Sequence, residues 1–199
     1  MNVAIIPARS GSSRIPYKNV KDFHGKKIIE YPIEAAKESE LFSDIVVYSN
    51  DSMALDTAIA CGVNWMIRDD DADSTTGTQD AGRNATKRIL EINPDVENVC
   101  IIYPCSPMLT AFDLQRGFAE LNNEEIDYAF SVGTVPKLHD AGNFYWCKVE
   151  ALMAGEPLFA ERSVMIPIDP ERTCDINTME DWAKAEKMYE ALGGKNETK

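Results

Sequence analysis

Basic residues are in short supply in this 199-residue sequence: 20 Lys and Arg face 33 Asp and Glu, giving a formal net charge of -13. Such a chain repels phosphate backbones and anionic lipids except at a local basic patch, so neither nucleic acid nor a membrane surface is the expected partner. Long apolar runs are also missing. The first covers only residues 3–8, too short for the core of a signal peptide or for a bilayer span, and no later segment is long enough. Cys61, Cys100, Cys105, Cys147 and Cys174 form no C-x-x-C pair, which removes the usual sign of a zinc site or a dithiol. Buried free thiols in a reducing cytoplasm are expected instead. Repeats, low-complexity tracts and Pro/Gly/Ser linkers are absent as well. With 44% hydrophobic residues, the chain is expected to form one domain, residues 1–199, around its own core.

What is present is a series of short apolar runs at 3–6, 45–48, 64–67, 99–103, 128–132 and 143–146. They are continuous rather than alternating, which suits strands covered on both faces and so parallel strands joined by helical crossovers. Between them, Ala81, Ala85, Ile89 and Ile92 mark one helical stripe, and Leu114, Phe118 and Leu121 another. Thr110 with Asp113, and Thr178 with Asp181, have the spacing of capping boxes. The last helix is expected over 179–192, ending at Gly193-Gly194. The pattern predicts an α/β sandwich with right-handed crossovers.

The first run breaks into a loop that carries Arg9, Arg14 and Lys18 around Ser10-Gly11-Ser12-Ser13. In open α/β sheets ligands gather at the carboxyl ends of strands, where glycine admits a close backbone and amide N–H groups face anions. No G-K-[ST] follows and there is no G-x-G-x-x-G, so this is neither a Walker loop nor a dinucleotide loop. Two guanidinium forks and an ammonium suit a triphosphate. From the residues alone, the same cations also fit a surface loop paired with some of the many acids.

The segment 7–19, P-A-R-S-G-S-S-R-I-P-Y-K-N, resembles the P-A-R-x-G-S-K-R-I-P-x-K-N signature of the acylneuraminate and pseudaminic acid cytidylyltransferases. Four further segments agree in order. V-Y-S-N-D at 47–51 is similar to the family's V-S-T-D-D turn, and I-Y-P-C-S-P-M-L at 102–109 to I-Y-A-T-A-P-F-L. H-D-A-G-N-F-Y-W at 139–146 resembles H-D-A-G-Q-F-Y-W of the pseudaminic acid branch, and D-I-N-T-M-E-D-W at 175–182 resembles D-I-D-T-x-E-D-W.

This resemblance implies a Rossmann-like, three-layer nucleotide-diphospho-sugar transferase fold with a mostly parallel central sheet. The activity implied is transfer from CTP to a nonulosonic, sialic-acid-like sugar acid, with pyrophosphate released and Mg²⁺ as cofactor. Arg9, Arg14, Lys18 and Asp175 are the implied catalytic residues. Nucleotide contacts are implied at Ala8, Arg9, Ser10, Gly11, Ser12, Ser13, Arg14, Lys18, Ser49, Asn50, Asp51, Thr78, Asp80, Tyr103, Cys105 and Ser106. The sugar acid is implied at His139, Asp140, Asn143 and Tyr145, and the metal at Asp175 and Asn177. Thr78 has a second reading as a helix cap, and the aromatics at 144–146 a second reading as core.

Three departures from the pattern stand out. Ser13 occupies a position commonly lysine in sialic-acid-type enzymes, although R-x-x-S-[ST]-R-[LI]-P-x-K is close to the loop of the Kdo cytidylyltransferases, where Arg14 would substitute. Asn177 replaces the second Asp of D-I-D-T, which weakens the charge offered to a hard cation. Only six residues, 133–138, lie where longer members insert an arm that reaches across a dimer to the partner's site, so the resemblance does not carry over the homodimer or that part of the sugar pocket. Transfer to Kdo or another sugar acid or sugar phosphate, and a nucleotide-binding protein without catalysis, are the competing expectations.

Overall fold

The computed structural model describes residues 1–12, 14–68 and 76–194. In chain order the strands and helices are β1 (Asn2–Pro7), β2 (Asp22–Phe23), β3 (Lys26–Lys27), α1 (Glu30–Glu38), β4 (Asp44–Ser49), α2 (Ser52–Ala60) and β5 (Asn64–Ile67). There follow α3 (Thr78–Ile92), β6 (Asn98–Ile102), α4 (Ala111–Leu121), β7 (Tyr128–Gly133), β8 (His139–Lys148), α5 (Val149–Ala154), β9 (Ser163–Pro167) and α6 (Met179–Ala191). Every apolar run read as a strand is one, and α6 stops one residue before its expected end.

Seven strands form one sheet in the order β5-β4-β1-β6-β8-β7-β9, while β2 and β3 make a separate small hairpin. β5, β4, β1 and β6 are mutually parallel, and β7 and β9 are parallel to each other. β8 runs antiparallel to both its neighbours, so the run at 143–146 belongs to a ten-residue antiparallel strand rather than to a parallel one. The reason is length. Residues 134–138 separate β7 from β8, and a parallel crossover needs about a dozen residues or more. β9 is not among the runs read as strands: its apolar stretch, Val164-Met165-Ile166, is only three residues long and stops at Pro167, and in the structure it forms an edge strand in which Ile166 alone is buried.

Alternate residues of the sheet face different layers. Ala4, Ile6, Val47, Cys100 and Ile102 pack with Ile33, Ala54, Ala58 and Leu114 of α1, α2 and α4. Val3, Ile5, Val46 and Ile101 pack with Ala85, Ile89 and Leu152 of α3 and α5. The stripe on α3 ends at Ile89; Ile92, its last residue, is 82% exposed, because the chain turns away at Asn93. Gly117 lets α4 lie directly on β8, since a Cβ there would stand 2.7 Å from ring atoms of both Phe144 and Trp146. A third cluster seats α6 on the β2–β3 hairpin, with Phe23 edge-to-face against Tyr31, Trp182 and Tyr189 at centroid separations of 5.5 Å each. Both capping boxes are formed. Among the described residues all five cysteines are free thiols, and no helix is long and apolar enough to cross a membrane.

Candidate functional site

The carboxyl ends of β1, β4 and β6 share one edge of the sheet, and the loop after β1 is shaped there by its neighbours. Ala8 donates its N–H to Tyr48 O at 2.9 Å and accepts from the hydroxyl of Ser49. Ser10 N donates to Asn50 Oδ1 at 2.7 Å. Gly11 sits at φ +83°, in the left-handed region that a side chain would strain. Ile15 is fully buried and anchors the loop in the third cluster. Asn19 then crosses beneath it, donating from Nδ2 to Arg9 O at 3.0 Å and accepting from Cys105 Sγ at 3.3 Å.

The segment 173–177 faces this loop. Its entry is pinned by Arg172, whose guanidinium forks onto the carboxylate of wholly buried Asp113 and also donates to Met108 O at 3.3 Å. Its exit is pinned by Asp181, which accepts from Asn177 N at 3.0 Å and Thr178 N at 2.8 Å. Between these pins Cys174 and Ile176 are buried in the core, while Asp175 is exposed and Asn177 half-buried. Lys18 Nζ donates to Ile176 O at 2.7 Å, Arg14 Nη2 donates to Asn177 Oδ1 at 3.2 Å, and Asn177 Nδ2 donates to Asp175 Oδ2.

These contacts enclose a cavity of about 270 Å³ lined by Arg9, Ser12, Arg14, Lys18, Thr78, Tyr103, Cys105, Asp175 and Asn177. Three cations and a lone carboxylate therefore converge on one space. Burial pushes the Cys105 thiol up to about 12 against the opposing pull of Lys18, so it lines the wall as a neutral group rather than a nucleophile.

A second cavity of about 260 Å³ adjoins the first through Thr78 and Tyr103, which line both. Thr78 Oγ1 donates to Tyr103 Oη at 2.9 Å, and this pair forms the partition. Gly77 caps α3 without a side chain, so the first turn of that helix, Thr78 to Asp80, opens onto the cavity; Asp80 is paired with Arg83 at 2.6 Å. On the opposite wall Tyr145 Oη donates to Asp140 Oδ2 at 2.6 Å, and Gly142 N donates to Asp140 Oδ1 at 2.9 Å. Burial, then the neighbouring Tyr103 and Asp140, raise the Tyr145 hydroxyl well above its ordinary value, which keeps it a proton donor. Ile101, Cys147 and Leu158 make an apolar floor.

Other residues singled out from sequence lie outside both cavities. Ser49 is fully buried beneath Ala8 and receives Asp51 N at 2.9 Å; Asp51 caps α2, accepting from Met53 N at 3.0 Å. Together with Asn50 they brace the first loop from below. Ala8, Ser10 and Gly11 form its backbone without lining either space. Ser106 is buried, with no hydrogen-bond partner for its hydroxyl among the described residues. His139 is exposed on the hairpin, its Nδ1 2.8 Å from Lys137 O, and Asn143 is buried in β8 with its N–H on Ser131 Oγ at 3.1 Å. Ser13 lies outside the described residues. Asn19 and the Asp113–Arg172 pair escaped sequence reading. Asn19 at least stood inside the matching motif, whereas Asp113 and Arg172 are 59 residues apart and nothing local links them.

Similarity to known proteins bears on the family and the fold. The chain is 31% identical to the pseudaminic acid cytidylyltransferase of Campylobacter jejuni over 227 aligned residues, covering 94% of this chain and 96% of that one. Its backbone is similar to that of a CMP:2-keto-3-deoxy-manno-octonic acid synthetase solved with CTP, with a TM-score of 0.76 at 14% identity over 96% of this chain and 99% of that one. It is also similar to Rv0371C of Mycobacterium tuberculosis solved with manganese, with a TM-score of 0.65 at 12% identity over 94% and 98% of the two chains. At such identities these two structures speak for the fold alone. The cytidylyltransferase family model matches residues 3–180, and the chain belongs to that family.

Proposed function

We propose that this chain transfers the cytidylyl group of CTP to pseudaminic acid or a closely related nonulosonic acid, releasing pyrophosphate. The observation that carries the reading is the convergence of Arg9, Arg14, Lys18 and Asp175 on one cavity that shares a wall with a second. Triphosphate oxygens in the first cavity would meet two guanidinium forks and an ammonium without competing acids other than Asp175. The sugar acid would occupy the second, where Asp140 and the hydroxyl oxygen of Tyr145, whose proton lies on Asp140, offer hydrogen-bond acceptors, and the apolar floor suits the methyl of an acylamino group. The partition of Thr78 and Tyr103 then marks where the anomeric hydroxyl meets the α-phosphorus. Its oxygen forms the new bond to phosphorus, its proton is released, and the bond from the α-phosphorus to the bridging oxygen breaks as pyrophosphate leaves.

Asp175 fits a divalent cation of the hard type. Mg²⁺ takes one or two carboxylates, and completes its octahedron with water and substrate phosphates, so an exposed carboxylate beside a phosphate cradle suffices. Among the described residues no group of three His, Cys, Asp or Glu side chains is placed to hold a metal ion by itself. We assign Mg²⁺, which when bound would neutralise phosphate charge. CTP as substrate and five free thiols support a cytoplasmic setting.

Pyrophosphate release with CTP and Mg²⁺ tests the reading. Turnover is expected with pseudaminic acid and not with Kdo, which has no acylamino group for the apolar floor. Tight CTP binding with no pyrophosphate from any acceptor or metal would instead favour a nucleotide-binding protein that has lost catalysis.

A further inference from the structure

Resting on the assignment of the first cavity to the triphosphate, we propose that Asn177 is a positioning residue that ties Arg14 to Asp175, and is not itself a ligand of the divalent cation. The side-chain amide stands between the two groups. Its Oδ1 accepts from Arg14 Nη2 at 3.2 Å and its Nδ2 donates to Asp175 Oδ2. Chemistry selects this orientation. Turned over, the amide would set NH₂ against a guanidinium that only donates, and oxygen against a carboxylate that only accepts.

Only a side chain that carries both a donor and an acceptor serves both demands. An aspartate at 177 accepts from Arg14 but has nothing to donate to Asp175, and two carboxylates side by side are tolerable only with a cation between them. The amide therefore holds Asp175 and Arg14 in place with no metal present. Its own backbone is fixed, because Asn177 N donates to Asp181 Oδ2 at 3.0 Å in the cap of α6. The tie spans 163 residues of sequence and joins the loop after β1 to the segment before α6. The cavity thus has one negative charge of its own, and a cation held by Asp175 would take its other oxygens from the nucleotide and water.

The two roles separate when CTP is titrated calorimetrically into the full chain in EDTA. A positioning role predicts that Asn177→Ala weakens metal-free CTP binding about three- to tenfold, as expected when a hydrogen bond orienting a charged group is lost. It further predicts coupling with Arg14: in EDTA the Arg14→Ala, Asn177→Ala double variant binds CTP no more weakly than Arg14→Ala alone. Additive losses would mean a general structural effect and overturn the proposal. A ligand role leaves EDTA affinity unchanged and shows its loss only when Mn²⁺ is added, and that result also overturns it. If wild-type chain binds no CTP with or without Mn²⁺, the triphosphate assignment itself fails, which is a different outcome from wild-type binding that the Ala substitution leaves untouched.

Discussion

Lys18 has one ammonium and two demands on it: it holds Ile176 O at 2.7 Å and it faces the cavity. Replacing it removes a charge from the phosphate side and a tether from the Asp175 side together. Lys18→Met is therefore expected to weaken CTP binding about ten- to hundredfold, the range for a hydrogen bond to a charged partner, as read by calorimetry. Asn177→Asp adds a second carboxylate next to Asp175 and is expected to bind Mg²⁺ more tightly than wild type; equal or weaker affinity would count against placing the cation on this side. Arg9, Arg14, Lys18 and Asp175 were legible because a cation cluster in a glycine loop, and an acid in a matching motif, carry their chemistry in their residue types. Asp51 and Ser49, by contrast, line neither cavity. Their motif also matched, yet a short acid after a strand and before a helix is just as suited to capping, and here the carboxylate sits on Met53 N.

Elements were legible wherever one face or both were uniformly apolar, as with β1, β4 and β6, and wherever caps were written out, as at Thr110 and Thr178. Strand direction was not, because it depends on connection length and not on composition. The joint between α4 and the segment before α6 is the most exposed to mutation. Asp113→Ala would leave the Arg172 guanidinium half-buried without its partner, and is expected to lower unfolding free energy by about 3–5 kcal/mol in urea titration. Gly117→Ala places a methyl against Phe144 and Trp146, with an expected loss of about 1–3 kcal/mol by overpacking. The start of β7 carries a pH signature. The Arg162 fork holds the Asp127 carboxyl below its ordinary 3.8. A lowered folded value means the pair stabilises fully above about pH 4 and loses that contribution as pH falls through it. The melting-temperature gap between wild type and Asp127→Asn should accordingly be largest near neutrality and close in acid.

At the scale of the molecule, the three layers followed from the alternation of apolar runs and helical stripes, while the pairing of two cavities did not. That depends on Tyr103 and Thr78 meeting at 2.9 Å from different elements. Only the short 134–138 connection stands where the longer members that the sequence resembles are expected to reach across a dimer, so no arm of a second copy is expected in either cavity. Specific activity is thus expected to stay constant on dilution from micromolar to nanomolar chain; a fall would reveal a residue contributed by a second copy.

The segment between Arg172 and Thr178 bears on how such a chain can change. It is clamped at both ends, and its residues alternate inward and outward. Inserting or deleting one residue there would exchange the two faces, burying the carboxylate and presenting an isoleucine to the first cavity. The hairpin at 134–138 has no comparable constraint, since its residues are exposed. Length variation on one side of the cleft is neutral to the chemistry, and on the other side it is lethal to it. Lineages of this fold can accordingly vary the 134–138 hairpin while the strip between Arg172 and Thr178 stays fixed in length.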